Sequence, residues 1–263
     1  MSVRGAVKGV LTAVLPESAM MSVRKYHYRR KLARARIDEE NDLVIAARLV
    51  IPRDVAADVG ANYGLYTRFL SEAAGPQGRV YSVEPIPTTF SVLKSNVEGL
   101  GLANVRLVNC ALSDHPGSVE MAVPKMGGGE NFYQAHIVDG TDGAGVHKFK
   151  VELATLDNVL RSESAVAFIK IDVEGHELPC IRGASDVISR CAPALLIEVS
   201  GSPDHPGASS ELFQDLLKRG YRVFASDGLA LRPHTAGHKS VNYFFLRDNH
   251  LSRLAAAGVP THA

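Results

Sequence analysis

The stretch that decides the fold is Val55–Gly64, which reads VAADVGANYG. Its β-branched and small residues predict a buried strand that ends at Asp58, and Gly60, Asn62 and Gly64 then form a glycine-spaced turn. Such a turn between a strand and a helix allows backbone N–H groups to approach a ligand where a Cβ would collide. The alternative is a tight connection that binds nothing, because G-x-x-x-G also occurs in ordinary turns.

The next predicted strand, Arg79–Val83 (RVYSV), indicates which ligand the turn would bind. It is followed by Glu84, twenty positions after Gly64, where a carboxylate can accept hydrogen bonds from both ribose hydroxyls. The turn lacks the G-x-G-x-x-G spacing of dinucleotide sites, and the negative charge of Asp58 would repel a pyrophosphate. The sulfonium and amino-acid end of S-adenosylmethionine carries positive charge and no phosphate. The sequence therefore favours S-adenosylmethionine over NAD.

Three motifs together resemble the FkbM-type methyltransferases, a branch of the class I S-adenosylmethionine-dependent enzymes. They are DVGANYG, the VEP of Val83–Pro85 and the KIDVEGHE of Lys170–Glu177, and the resemblance covers roughly residues 55 to 246. It implies that the first loop holds the methionine part of the cofactor and that the glutamate after the second strand holds the ribose. Asn109–Asp114 (NCALSD) is similar to the stretch that borders the adenine. The cofactor-binding residues implied are Asp58, Gly60, Asn62, Gly64, Glu84, Ser113 and Asp114.

Strand-like and helix-like segments alternate from Arg53 onward, and several strands are continuous apolar runs, as expected when both faces are covered. This pattern predicts an α/β fold with a Rossmann-like, seven-stranded class I methyltransferase sheet and an N-terminal helical cap. The predicted strands are Val55–Val59, Arg79–Val83, Val105–Asn109, Ala167–Ile171, Ala194–Val199, Tyr221–Ala225 and Asn242–Leu246. The predicted helices are Tyr63–Ala74, Thr88–Leu100, Leu178–Ser189 and Ser209–Arg219.

The domain prediction divides the chain into a helical cap (residues 1–50), a methyltransferase domain (51–250) and a tail (251–263). In the cap, Lys25–Arg36 (KYHYRRKLARAR) is basic, and we interpret it as a lid over the cofactor cleft rather than a contact with nucleic acid or an anionic membrane. A net charge of +1 argues against general polyanion binding. The glycine-rich piece Met126–Gly145 is interpreted as a substrate loop.

The cellular setting is predicted from cysteine usage and hydropathy. The three cysteines are odd in number and lack metal-ligand spacing, which favours a reducing, cytoplasmic compartment. No apolar run reaches the 18 or so residues that span a bilayer, so stable membrane insertion is not expected. The oligomeric state stays open, with a homodimer as one alternative.

The segment AFIKIDVEGHE carries the predicted chemistry at the carboxyl end of the fourth strand. Asp172, Glu174 and His176 are the candidate catalytic residues, because a hydroxyl group must lose its proton during methyl transfer. Glu177 is assigned a structural role instead, since a carboxylate near a helix N-terminus is stabilised by the helix dipole. The alternative for His176 is an ordinary histidine on a helix surface.

A divalent metal, Mg²⁺ or Mn²⁺, is the predicted aid to that deprotonation. The fifth strand ends in Glu198, and adjacent parallel strands lie about 4.8 Å apart, so Asp172 and Glu198 would present oxygens to one point. No basic residue is expected beside them to neutralise both. Asp227 is the candidate third ligand, and its alternative is an ordinary turn aspartate.

The resulting functional prediction is an S-adenosylmethionine-dependent O-methyltransferase. The resemblance implies as acceptor a hydroxyl of a saccharide or glycosylated small molecule. The alternatives are an enzyme acting on a polyketide or macrolide hydroxyl, and a non-catalytic module that binds S-adenosylmethionine. No nucleic-acid partner is expected, because no basic channel or aromatic platform is evident.

Overall fold

The structure is a computed structural model. It describes residues 16–123, 125–126, 129–130, 136–138, 147–199, 201, 203–237 and 240–261. The predicted substrate loop, residues 126–145, lies largely outside the described residues.

The main sheet has eight strands with β1 near its centre. In spatial order they are β13 (Ala230–Pro233), β12 (Arg222–Asp227), β14 (Asn242–Leu246), β11 (Ala194–Glu198), β10 (Phe168–Ile171), β1 (Val55–Val59), β2 (Arg79–Val83) and β3 (Val105–Val108). The pairs from β3 to β11 are parallel, whereas β14 runs antiparallel to β11 and to β12. This order confirms the predicted class I methyltransferase sheet. The unpredicted β13 forms a hairpin with β12 at the edge of the sheet.

Helices cover both faces of this sheet. They are α1 (Glu17–Arg34), α2 (Asn41–Leu49), α3 (Leu65–Ala74), α4 (Pro87–Gly99), α5 (Leu156–Val159), α6 (Glu177–Arg182), α7 (Ser185–Cys191), α8 (Ala208–Lys218) and α9 (Asp248–Ala256). A short 3₁₀ helix, Ile37–Glu39, lies between α1 and α2. Alternate residues of β10 belong to different apolar clusters, Phe168 on one face and Ile169 on the other. This period of two explains why the central strands are apolar throughout.

The predicted helix Leu178–Ser189 is two helices, α6 and α7, and this corrects the sequence-based boundary. The break lies at Gly183, where a Cβ would stand 2.0 Å from the backbone oxygen of Ser113. The close approach of these two segments leaves no space for a side chain. The helical spacing on either side could not reveal this break, because its cause is a contact distant in sequence.

A smaller sheet follows β3 in the chain. Its strands are β4 (Ala111–Leu112), β5 (Gly117–Val123), β8 (His136–Ile137) and β9 (His147–Ala154), in the order β4-β9-β5-β8. A further pair is formed by β6 (Lys125–Met126) and β7 (Gly129–Glu130). Met121, Val123 and Val151 pack with Ile86, which precedes α4. The small sheet is therefore packed against the segment that follows β2.

The N-terminal helices lie within the predicted cap. Leu32 of α1 is fully buried and packs against Tyr63 and Val92, so α1 is attached to the turn after β1. At the other terminus α9 extends to Ala256, beyond the predicted start of the tail. No helix in the described part of the chain is both long and apolar enough to cross a membrane.

Candidate active site

The turn after β1 is held tightly between the ends of neighbouring strands. The backbone N–H groups of Gly60 and Ala61 both donate to the carbonyl of Val83, each at 3.0 Å. Gly60 has a φ of +76°, and a Cβ there would lie 1.8 Å from the backbone oxygen of Asp172. Glycine is therefore required both by the backbone angle and by the space.

Glu84 is held by the backbone of the same turn. Its Oε2 accepts a hydrogen bond from the N–H of Asn62 at 3.0 Å, and its Oε1 accepts one from the N–H of Ile86 at 2.9 Å. The residue is only 6% exposed. Burial raises the pKa of Glu84 to about 7, although the two N–H donors favour the ionised carboxylate. Each oxygen keeps acceptor capacity for a ligand hydroxyl.

Glu84 lines a first cleft between the carboxyl ends of the strands and the small sheet. The walls are mostly apolar, with one buried carboxylate on one side. The lining includes Gly60, Asn62, Glu84, Ile86, Met121, Asp172, Glu174 and His176.

A second cleft lies beside the same turn and is more polar. Its polar lining residues are Lys31, Glu40, Asp58, Asn62, Lys170, Asp172, Glu198 and Asn242. Gly60, Asn62 and Asp172 line both clefts. The two spaces therefore meet at the turn after β1 and at the end of β10.

Asp58 is a buried carboxylate in the second cleft. It is 1% exposed, and its Oδ2 accepts a hydrogen bond from Thr67 Oγ1 at 2.6 Å. Its Oδ1 has no hydrogen-bond partner among the described residues. Burial raises the pKa of Asp58, whereas nearby Lys170 favours the charged form. An unpaired, buried carboxylate oxygen suits a ligand that carries an ammonium group.

Lys170 is a buried residue of this site that the sequence-based prediction missed, as it also missed Lys31, Glu40 and Asn242. It is 6% exposed, and its Nζ donates to Asp172 Oδ2 at 2.9 Å and lies 4.9 Å from the ring centre of Tyr66. Burial favours the neutral amine, but the charges of Asp172 and Asp58 outweigh it and raise the pKa of Lys170. The available signal was a lysine inside the apolar strand FIKI, because a buried lysine needs a carboxylate partner.

The predicted metal ligands do not fit a metal site in this structure. Within the described ranges, no group of three or more His, Cys, Asp or Glu side chains is placed to hold a metal ion. The expectation that no basic residue accompanies Asp172 and Glu198 is wrong, because Lys170 pairs with Asp172. Asp227 lies at the end of β12 and forms an ion pair with Arg232 at 2.5 Å instead.

Glu198 is nevertheless close enough to Asp172 for the charge of Asp172 to affect its pKa. Burial raises the pKa of the half-buried Glu198 carboxyl, and the negative charge of Asp172 raises it further, whereas Lys170 lowers it. Glu198 therefore holds its proton more strongly than an ordinary glutamate. It remains a polar group that an acceptor in the second cleft can contact.

His176 and Glu174 line the first cleft with Glu84, and neither lines the second. His176 Nε2 lies 3.0 Å from Ser113 Oγ, and burial lowers the pKa of its imidazole. Glu174 has a left-handed φ of 49° in the turn after β10. Glu177 Oε1 accepts a hydrogen bond from the N–H of Gly175 at 2.7 Å, as suits the structural role predicted for it.

The remaining predicted cofactor residues lie outside the lining of both clefts. Ser113 contacts His176, and the half-exposed Asp114 accepts a hydrogen bond from His115 at 2.6 Å. Gly64 precedes α3 with a φ of +98° and allows the chain to pass close to Leu93. Apolar residues line the first cleft near β4 instead: Cys110, Ala111 and Leu112.

Three features together define a nucleoside-binding domain of the class I methyltransferase type. They are the glycine turn after β1, the acidic residue after β2 and the antiparallel strand β14 in the main sheet. The sequence model of the family described as "Methyltransferase FkbM domain" matches residues 58–223, more than half of the chain. The chain belongs to the FkbM methyltransferase family.

Individual relatives are distant. "Methyltransferase 1" of Beauveria bassiana is 28% identical over 49% of this chain, and the match spans 57% of the relative's own length. "31-O-demethyl-FK506 methyltransferase FkbM" of Streptomyces tacrolimicus is 27% identical over 66% of this chain and 75% of that protein. The solved structure of a methyltransferase FkbM from Methylobacillus flagellatus KT aligns with 85% of this chain and 59% of its own, at 16% identity and a TM-score of 0.48.

Proposed function

We propose that this protein is an O-methyltransferase that uses S-adenosylmethionine to methylate a hydroxyl group of a saccharide or glycosylated small molecule. The observation that carries the proposal is the position of Asp172, which lines both the cleft that contains Glu84 and the polar second cleft. A group at that junction reaches both a methyl donor in one cleft and an acceptor in the other.

The first cleft suits the nucleoside part of the cofactor. Glu84 would accept hydrogen bonds from the ribose hydroxyls, with its carboxylate fixed by the N–H groups of Asn62 and Ile86. The apolar walls would cover the adenine. Asp58, whose Oδ1 has no partner among the described residues, lines the second cleft beside the shared turn and would attract the positively charged amino-acid end where the two clefts meet. The turn at Gly60 would let the cofactor lie against the backbone.

Asp172 is the group proposed to take the proton of the acceptor hydroxyl. Lys170 binds its Oδ2, which leaves Oδ1 for the acceptor. When bound, S-adenosylmethionine would supply a methyl group on a sulfonium: the hydroxyl oxygen would form the new O–C bond while the C–S bond broke and its electron pair stayed on sulfur. The hydroxyl proton passes to Oδ1. Most of the acceleration comes from holding the two reactants in line.

The acceptor class is inferred from the polarity of the second cleft. Carboxylates, two amides and ammonium groups provide both hydrogen-bond donors and acceptors, as a polyhydroxylated acceptor requires. A polyketide hydroxyl is the second candidate, since the Streptomyces relative is named as an FK506 methyltransferase. His176, which lies on the cofactor side, is assigned to binding rather than to proton transfer.

Transfer of a labelled methyl group from S-adenosylmethionine to a panel of glycosides and macrolides tests the proposal. We expect a methyl ether on a glycoside hydroxyl, and we expect Asp172→Asn to abolish transfer while leaving cofactor binding by calorimetry intact. Transfer to macrolides alone would favour the second candidate. Tight cofactor binding without transfer to any acceptor would identify a non-catalytic binding module.

A further inference from the structure

Four charged side chains of the second cleft share one face of the main sheet. Asp58 and Lys170 are paired residues on the adjacent parallel strands β1 and β10. Asp172 lies two residues after Lys170, and Glu198 lies two residues after Leu196, the partner of Lys170 on β11. Because strand side chains alternate between faces, all four project to the side of the sheet that carries the Phe168 cluster.

The lysine is fixed within this group. Its stem is enclosed by the sheet, its ammonium donates to Asp172 Oδ2 at 2.9 Å, and the ring of Tyr66 from α3 lies on another side at 4.9 Å. Lys31 and Glu40 also line the cleft from the N-terminal segment, and Lys31 lies 4.6 Å from the ring centre of Tyr63. Lys170 is thus a cation among carboxylates at the place where the sequence predicted a metal ion.

We infer that Lys170 is a positioning residue: it serves as the built-in cation of the second cleft, orients Asp172 toward the acceptor and makes a divalent metal unnecessary for methyl transfer. The inference deepens the proposed function and rests on it for the catalytic part. It also explains the poor fit of the predicted metal site, because a cation placed between Asp172 and Glu198 would be repelled by the ammonium group of Lys170.

The physical reason lies in the cost of unpaired buried charge. Asp58 is buried and Asp172 and Glu198 are partly buried, and carboxylates placed together repel one another unless a cation compensates them. An ammonium group carried by the strand itself supplies that charge and fixes one oxygen of Asp172. The other oxygen is then presented in a single orientation, which is what proton transfer from an acceptor requires.

Two measurements test the inference without any acceptor. Mn²⁺ titration followed by electron paramagnetic resonance should detect no bound ion on the wild-type protein at micromolar metal; stoichiometric binding would overturn the inference. A double-mutant cycle of unfolding free energies for Lys170→Met and Asp172→Asn should be strongly non-additive. The control cycle, Lys94→Met with Glu98→Gln, removes an exposed pair at 3.9 Å and should be additive. Additivity at the Lys170 pair would also overturn it.

A third measurement addresses catalysis once an acceptor is known. Lys170→Met should lower kcat at least tenfold while KM for S-adenosylmethionine changes less than threefold, and Lys170→Arg, which keeps the charge, should recover part of kcat. Wild-type turnover should be unchanged by EDTA. Loss of activity in EDTA with recovery in Mg²⁺, or an unchanged kcat in Lys170→Met, would contradict the inference. Because the first two measurements need no turnover, failure to find an acceptor counts against the proposed function alone.

Discussion

At the scale of single residues, Glu84 combines two opposing demands. A carboxylate that accepts hydrogen bonds from ribose must be ionised, yet burial raises its pKa to about 7. In the free protein the raised pKa means that ionisation costs stability: the contribution of Glu84 is greatest below the pKa of an unfolded glutamate and is lost as the pH rises through about 7. Cofactor binding to the ionised carboxylate should oppose this loss of stability.

We therefore predict that the affinity for S-adenosylmethionine increases with pH, by up to about tenfold per pH unit below pH 7, and levels off above it. Isothermal titration calorimetry between about pH 5.5 and about pH 8.5 measures this dependence. Glu84→Gln, which cannot ionise, should flatten the profile and weaken binding by about 1.5–3 kcal/mol at high pH. A pH-dependent affinity that persists unchanged in Glu84→Gln would remove Glu84 from the ribose site.

Gly60 offers a second test at this scale. We predict that Gly60→Val loses cofactor binding and destabilises the protein by several kcal/mol, because its Cβ would overlap the backbone oxygen of Asp172. Thermal unfolding and calorimetry measure both effects. Gly117→Val is the matched control and should retain binding, because a Cβ at Gly117 would enter open space. Equal effects of the two substitutions would contradict the prediction.

The same residues show what the sequence could reveal. Asp58, Gly60, Asn62 and Glu84 could be singled out from the sequence because each lies at or shortly after the end of a predicted strand, a local feature of the chain, and their roles in cofactor binding stay predictions. Lys170 was not predicted, although its partner Asp172 lies only two residues away, because its burial and the nearby charge of Asp58 depend on the packing of neighbouring strands. The local sequence can single out residues at strand ends, whereas it cannot show which of them are brought together by strand pairing and burial.

At the scale of elements, the strands of the main sheet were predictable because buried parallel strands are continuously apolar. The eighth strand was not, because Ala230–Pro233 is short, contains a proline and is ordered by its pairing with β12. The break between α6 and α7 also depends on a distant contact, that of Gly183 with Ser113. The sequence therefore did not predict features that depend on contacts with distant segments of the chain rather than on a local pattern of residues.

Helix α1 provides a prediction about the cap. Leu32 is fully buried against Tyr63, and Arg68 of α3 donates to the backbone carbonyls of Leu32 and Ala35. We predict that Leu32→Ala destabilises the protein by about 2–5 kcal/mol and also weakens cofactor binding, because the turn that contains Tyr63 loses its support. Val23→Ala on the same helix, where the side chain is 54% exposed, is the control for denaturant unfolding and calorimetry. Unchanged affinity in Leu32→Ala would show that α1 does not organise the turn.

At the scale of the whole molecule, the sheet separates two ligand environments. The small sheet and Ile86 border one cleft, while α3, β11 and the N-terminal segment border the other. The chain's nearly neutral net charge conceals this division, in which four carboxylates and two lysines line the second cleft. Composition therefore could not reveal where charge is concentrated.

This division predicts that binding of the donor's nucleoside part and binding of the acceptor can be altered separately. Ile86→Ala should weaken S-adenosylmethionine binding by about 1–2 kcal/mol through lost apolar contact, with little change in acceptor KM. Glu198 lines only the second cleft. Glu198→Gln should therefore raise the acceptor KM while the cofactor Kd stays the same. Calorimetry gives the cofactor Kd and steady-state kinetics gives the acceptor KM for both variants. If each substitution shifted both constants equally, the two clefts would function as one site, and the assignment of the donor's nucleoside part and the acceptor to separate spaces would be wrong.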